Sequence, residues 1–327
     1  MKTNLLFLCL LFCLFSCDKE EKQSAVTPTE SKGNWLQISD FPGAPRTEGV
    51  AFTIGDKAYF GLGYNYETNY LQDIWEYSVS NDSWTRKTDF IGYDPAAAFS
   101  LGSKGYTLTK AGLLYEYDSA RDTWTRKESV PGNKRWAAAG FLIGNKYYAG
   151  MRIVPIDRDG VTPDDMDFWE YSPSSDTWEQ VAGFPGTART AAISFTVGNK
   201  AYFGIGWAGD HSGNSLSDVW EYDPLKNSWQ QKNDFPGPRL STIGGFAIAN
   251  QNKGYVSGSP VTSEKPYFKG APFWEYTPES DSWRQVKPFP SIDHIGNATF
   301  TIQGKIYVAG GWGGQDHSRQ VWVFDPK

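Results

Sequence analysis

An all-β fold is what this sequence predicts: six four-stranded antiparallel blades closed into a β-propeller. Three observations predict it. Aromatic residues make up 16% of the 327-residue chain, with 14 Trp, 34 Gly and 19 Pro, and no long stretch has helical apolar periodicity. That mix suits short strands joined by tight turns. One phrase recurs, as in FTIGDKAYFGLGY at 52–64, FTVGNKAYFGIGW at 195–207 and FTIQGKIYVAGGW at 300–312. A Trp recurs at 84, 124, 178, 229 and 283, at spacings of 40, 54, 51 and 54 residues.

The phrase has six copies, opening on Phe52, Phe99, Phe141, Phe195, Phe246 and Phe300. An aliphatic residue follows two positions on, then a turn, then Lys-x-Tyr: Lys57/Tyr59, Lys104/Tyr106, Lys146/Tyr148, Lys200/Tyr202, Lys253/Tyr255 and Lys305/Tyr307. This is a hairpin, and it supplies strands one and two of each blade. DIWEY, LLYEY, DFWEY, DVWEY, PFWEY and QVWVF supply the third strand, and the Trp opens the fourth. The sixth copy stops at Lys327 without its Trp strand, while an orphan copy around Trp35 stands at the front. The segment around Trp35 is therefore expected to close the ring as the outer strand of blade six, which removes an open sheet edge.

The repeated unit has an Arg after a Pro-rich turn, a glycine-flanked Tyr strand, a WEY strand and then a Trp. It resembles the kelch repeat, from Trp35 to the end of the chain. The resemblance implies a six-bladed propeller over 33–327, of the superfamily that holds the galactose oxidase central domain and N-acetylneuraminate epimerase. It implies nothing firm about activity, because folds of this kind host many functions. Phe, Tyr and Trp of the repeat are read as packing, since a blade buries its faces only against its neighbours. Glu76, Glu116, Glu170, Glu221 and Glu275 recur in five units and are read as structural partners.

The front of the chain carries its own signals. MKTNLLFLCLLFCLFSC has one positive charge, Lys2, and an apolar run from Leu5 to Phe15, the pattern of a signal peptide over 1–16. Leu14-Phe15-Ser16-Cys17 resembles a bacterial lipobox, which implies acylation of Cys17 and attachment to a lipid bilayer. Residues 17–32 read as a disordered polar tether. Asp18-Lys19-Glu20-Glu21 resembles the surface-export signal of Bacteroidetes-type lipoproteins. An outer-membrane lipoprotein is expected, facing the cell surface or else the periplasm.

Function is to be sought where the copies differ, in loops on one face. Six residues before each Phe stand Arg46, Tyr93, Arg135, Arg189, Leu240 and His294, with Arg239 one place off in unit five. Either these cations ring the channel mouth and clamp an anionic ligand, or each Arg holds its own turn. Between second and third strands, unit four offers Trp207 and His211, unit six offers Trp312 and His317, and unit one offers Tyr64, Tyr66 and Tyr70. The ligand-contacting residues expected are Arg46, Tyr93, Arg135, Arg189, Arg239, His294, Trp207, His211, Trp312 and His317. His294 is the candidate acid or base.

Composition also excludes. All three cysteines, Cys9, Cys13 and Cys17, precede the repeats, so the propeller has no disulfide, thiolate nucleophile or Cys-ligated metal. The copper-radical chemistry that the superfamily's oxidase builds on a Cys–Tyr link is thereby excluded. A charge of −6 with pI near 5.2 argues against nucleic acid. No cofactor and no metal are expected, and a monomer is. The function expected is binding of a carbohydrate or small acidic ligand on the loop face. Two alternatives stand beside it: a mutarotase or epimerase acting on an acidic sugar such as N-acetylneuraminate, and a protein-interaction scaffold in a surface complex.

Overall fold

Alternation along each repeat places Phe and the residue after it on opposite faces of the sheet. In the computed structural model, which describes residues 32–131, 137–152, 166–208, 214–237, 240–260, 270–291, 295–313 and 316–327, six such sheets form. Each has four antiparallel strands, in sequence order in blades one to five. Blade one, for instance, runs Val50–Ile54, Lys57–Gly61, Ile74–Ser78 and Ser83–Arg86. Blade six runs Ala298–Ile302, Lys305–Ala309 and Val321–Asp325, and its outer strand is Asn34–Gln37 from the front of the chain. Trp35 pairs with Phe324 and Leu36 with Val323, as the missing sixth Trp strand predicts. Cys17, Arg135, His211, Arg239 and His294 lie outside the described residues.

The repeated residues form two interlocking ladders. The Lys-x-Tyr tyrosine of each blade meets the third-strand aromatic ring of the next: Tyr59–Tyr117, Tyr106–Tyr171, Tyr148–Tyr222, Tyr202–Tyr276 and Tyr255–Phe324. Tyr307 of blade six then meets Tyr77 of blade one, with centroids 6.0 Å apart, and the circle closes. The same tyrosines donate their hydroxyls to the recurring glutamates, Tyr59 to Glu76 at 2.8 Å and Tyr106 to Glu116 at 2.7 Å. Glu221 and Glu275 each take Lys and Tyr of the repeat together. The glutamates are thus acceptors that satisfy buried phenols. Fourth-strand Trp residues add a second ladder, donating to a carbonyl of the preceding crossover: Trp124 to Thr88, Trp178 to Glu128, Trp229 to Ala182 and Trp283 to Asn233. Trp35 does the same to Lys287 at 3.0 Å, which makes it a full member of the set.

Blade five corrects the sequence alignment by two residues. Ile248, not Phe246, pairs with Tyr255, in the register that joins Phe52 to Tyr59 in blade one. The spacing explains it: Phe246 precedes Lys253 by seven residues, whereas the other five Phe precede their Lys by five. The extra length is taken up between Ser241 and Phe246, where the ladder breaks into a bulge. Counted from Ile248, the equivalent of Arg46 is Thr242, and Arg239 stands three residues before it rather than one.

Tyr147 is the single large departure among the residues between Lys and Tyr, where other blades carry Ala58, Gly105, Ala201, Gly254 and Ile306. It is buried and stacks on Phe99 at 3.6 Å. Room for it comes from Gly140, where a Cβ would collide with the Tyr147 hydroxyl. Gly140→Ala is therefore expected to destabilise the protein by about 1–3 kcal/mol of overpacking, read as a lowered urea midpoint. Adding Tyr147→Ala should relieve that collision, so the double mutant should lose less than the sum of the two single changes. Strict additivity would show that the two positions do not compete for space.

Candidate functional site

The Pro-rich turns that lead into blades one and four read FPGAPR (41–46) and FPGTAR (184–189). Each folds so that its arginine lies over its own Phe, Arg46 at 4.6 Å from the Phe41 centroid and Arg189 at 4.9 Å from Phe184. Arg46 is 0% exposed. Its Nε donates to the Ala44 carbonyl, Nη1 to the Leu62 carbonyl, and Nη1 and Nη2 grip both oxygens of Asp73 at 2.9 and 2.8 Å. Trp75 donates its indole N–H to the same carboxylate. Burial pushes the Asp73 carboxyl up, but Arg46 and Trp75 outweigh it and hold it below its ordinary value. Arg189 repeats the arrangement on Thr187, Ile205 and Asp218, with Trp220 completing it.

This corrects the ligand role expected of Arg46 and Arg189. A sealed, bidentately paired guanidinium has no face left for an outside anion, and both arginines hold the lead-in turn to the third strand. A covariation within the sequence carries the signal. Arg six residues before Phe accompanies Asp two residues before Trp in Arg46/Asp73, Arg135/Asp167 and Arg189/Asp218. Blade two has Tyr93 with Leu113, and Tyr93 is 69% exposed. Blade six has Gln320 in place of the acid, accepting from Trp322 at 2.9 Å and from Ser291 at 3.2 Å.

Beyond the turns, three blades carry an extra ladder on the loop face. Thr47 pairs with Tyr64, Thr190 with Trp207 and Ile295 with Trp312, so these three aromatic residues occupy equivalent places. The Gly before each aromatic is required here: Gly63 and Gly206 have φ of +86° and +95°, and a Cβ would press on the carbonyls of Thr47 and Thr190. Trp207 and Trp312 are half-buried, and the Trp207 indole N–H is buried with no hydrogen-bond partner among the described residues.

Blades six and one then present a continuous aromatic arc. Tyr64 packs edge-on against Tyr66 at 5.5 Å and Tyr70 at 5.7 Å. His317, paired across its loop with Trp312, approaches Tyr66 at 4.6 Å and Tyr64 at 6.3 Å. Tyr66 is 64% and Tyr70 46% exposed, so the arc faces solvent. Burial lowers the His317 pKa from its ordinary value, against a smaller opposing pull from Asp316 and Glu67. That shift favours the neutral ring, and its Nε2 is buried with no hydrogen-bond partner among the described residues. Beside Tyr70, Lys110 bridges Glu48 at 3.1 Å and Asp94 at 2.9 Å. Glu48 adopts φ +53° and Asp94 +52°, left-handed conformations that cost a non-glycine residue about 1 kcal/mol or more.

The central channel is different in kind. A cavity of about 350 Å³ is lined by the first strands, through Ala98, Gly140, Leu142, Ser194, Thr196 and Ala247 among others, and among the described residues no charged side chain lines it. Arg46, Tyr93 and Arg189 are not among its walls. Among the described residues no three His, Cys, Asp or Glu side chains gather as a metal-holding group. What the loop face offers is aromatic stacking surface, bordered by carboxylates.

Fold and repeat together define the class: the chain is a six-bladed kelch-repeat β-propeller. The Kelch motif family matches it at residues 206–236 and 296–327. The chain is 27% identical over 207 residues to N-acetylneuraminate epimerase of Pasteurella multocida (strain Pm70), covering 54% of this chain and 52% of that protein. It is 31% identical over 110 residues to Kelch-like protein 15 of Danio rerio, covering 34% of this chain and 17% of the relative. The matches thus span about half the length of that epimerase and less than a fifth of the kelch-like protein. Among solved structures, the protein described in "Structure of YjhT" superposes with a TM-score of 0.68 at 14% identity, over 87% of this chain and 95% of that one. That likeness is one of fold.

Proposed function

We propose that this protein is a lipid-anchored propeller of the bacterial envelope that holds a carbohydrate on its loop face. The observation that carries the reading is the solvent-facing Tyr64–Tyr66–Tyr70 arc closed at one end by His317. Aromatic faces beside a fixed polar group are what sugar recognition uses, since a pyranose offers both C–H faces and hydroxyls. Burial of Arg46 and Arg189 favours a carbohydrate over a small acid clamped at the mouth. Tyr66→Ala and Tyr70→Ala should each weaken glycan binding to the full-length chain about 10-fold, or about 1.4 kcal/mol. Both residues are exposed, so thermal stability should hold within about 0.5 kcal/mol. Titration calorimetry over a glycan panel checks this, and binding that neither variant alters would remove the arc from the site.

Anchoring through Cys17 belongs to the same proposal, and its support is the lipobox-like run before that cysteine. Incorporation of labelled palmitate should vanish in Cys17→Ala. A second reading, mutarotation or epimerisation of an acidic sugar, is favoured by the similarity to N-acetylneuraminate epimerases. Exchange between the anomers of N-acetylneuraminate, followed by NMR, decides between the two: acceleration that is lost in His294→Ala would establish an enzyme.

A further inference from the structure

The arc differs from an ordinary aromatic platform in the sign of its surroundings. Four carboxylates border it. Asp316 and Glu67 act on His317, and Asp94 and Glu48 act on Tyr70. Glu48, Glu67 and Asp316 are exposed. Among the described residues, two cations stand against them in the same loops. Lys110 is already engaged by Glu48 and Asp94, and Arg319 follows His317 by two residues. Two of the arginines expected to turn the mouth positive, Arg46 and Arg189, are sealed on Asp73 and Asp218. His317 adds no charge near pH 7, because its burial favours the neutral ring. An incoming carboxylate therefore meets a net negative field among the described residues: four carboxylates stand against Lys110, already paired, and the exposed Arg319.

We infer that the loop face selects an uncharged carbohydrate chain and rejects acidic sugars. The inference rests on the carbohydrate reading above and specifies its substrate class. Tyr66 and Tyr70 flank Tyr64 on two sides, so the stacking surface extends past one ring and suits an oligosaccharide.

The test titrates the full-length chain with neutral oligosaccharides (gluco-, xylo- and manno-configured) and with glucuronate- and N-acetylneuraminate-bearing counterparts of equal length, at low and at physiological salt. Neutral chains should bind at least 10-fold tighter than acidic ones at low salt, and added salt should narrow the gap by screening. The double variant Glu48→Gln with Glu67→Gln should bind acidic chains several-fold better and leave neutral ones unchanged. Acidic chains that bind more tightly, and lose that binding in Tyr66→Ala, would overturn the selectivity while leaving the carbohydrate site in place. Selectivity that the double variant leaves untouched would likewise overturn it. Absence of binding by every sugar would bring down the carbohydrate reading itself, and this inference with it.

Discussion

Replacing Arg46 by alanine is expected to destabilise the protein by about 3–5 kcal/mol, as for other buried ion pairs broken from one side. The loss has three parts. Asp73 is left charged and half-buried with only Trp75 as a side-chain donor. The carbonyls of Ala44 and Leu62 lose their partner. The Phe41 ring loses the cation stacked over it. Arg46→Lys should recover little, because a point ammonium cannot span both Asp73 oxygens and reach two carbonyls in one plane. Asp73→Asn with Arg46→Met, which removes charge and partner together, should be milder than either charge-breaking change alone. Urea denaturation measures each. Arg189 and Asp218 should behave alike, being built alike. A clamp made for a ligand would give the opposite pattern, with Arg46→Ala stable and deficient only in binding.

That contrast shows which parts of the molecule were readable in one dimension. The blade count and the closure by Trp35 were legible because every blade must solve the same packing problem, and the solution is written in residue types at fixed spacing. The role of Arg46 was half legible. The residue repeats, which marks structure, but its partner Asp73 lies 27 residues on across a loop of variable length. Only the matched presence of Arg and Asp in the same units ties the two. Blade five was misaligned because Phe246 is a plausible hairpin opener by type, and the bulge that shifts it leaves no mark except a longer distance to Lys253. Least legible was the arc itself. Tyr66 and His317 sit in loops nearly 250 residues apart, and only ring closure between blades six and one brings them to 4.6 Å.

Ring closure also carries the largest predicted loss. Removing residues 33–41 should abolish cooperative unfolding altogether, although the segment adds only four residues to a sheet. It takes away the outer ladder on Val321–Asp325, and with it Trp35, whose ring lies 5.4, 4.9 and 5.0 Å from Phe273, Phe289 and Phe324. It also removes Phe41, fully buried against Phe60, Trp75, Trp84 and the Arg46 clamp. Trp35→Ala and Phe41→Ala separate these contributions. The half-buried Trp35 should cost about 3 kcal/mol and Phe41 about 3–5 kcal/mol. The two sit on opposite sides of the seam, Trp35 toward blade five and Phe41 toward blade one, and share no ring contact, so their effects should add within about 0.5 kcal/mol. Binding should fail earlier than folding in these variants. His317 reaches Tyr66 across the seam that joins blades six and one, where Arg46 pairs with Ser318 and Thr47 donates to the Ile295 carbonyl. Glycan affinity that survived in a chain lacking residues 33–41 would mean that the arc does not depend on a closed ring.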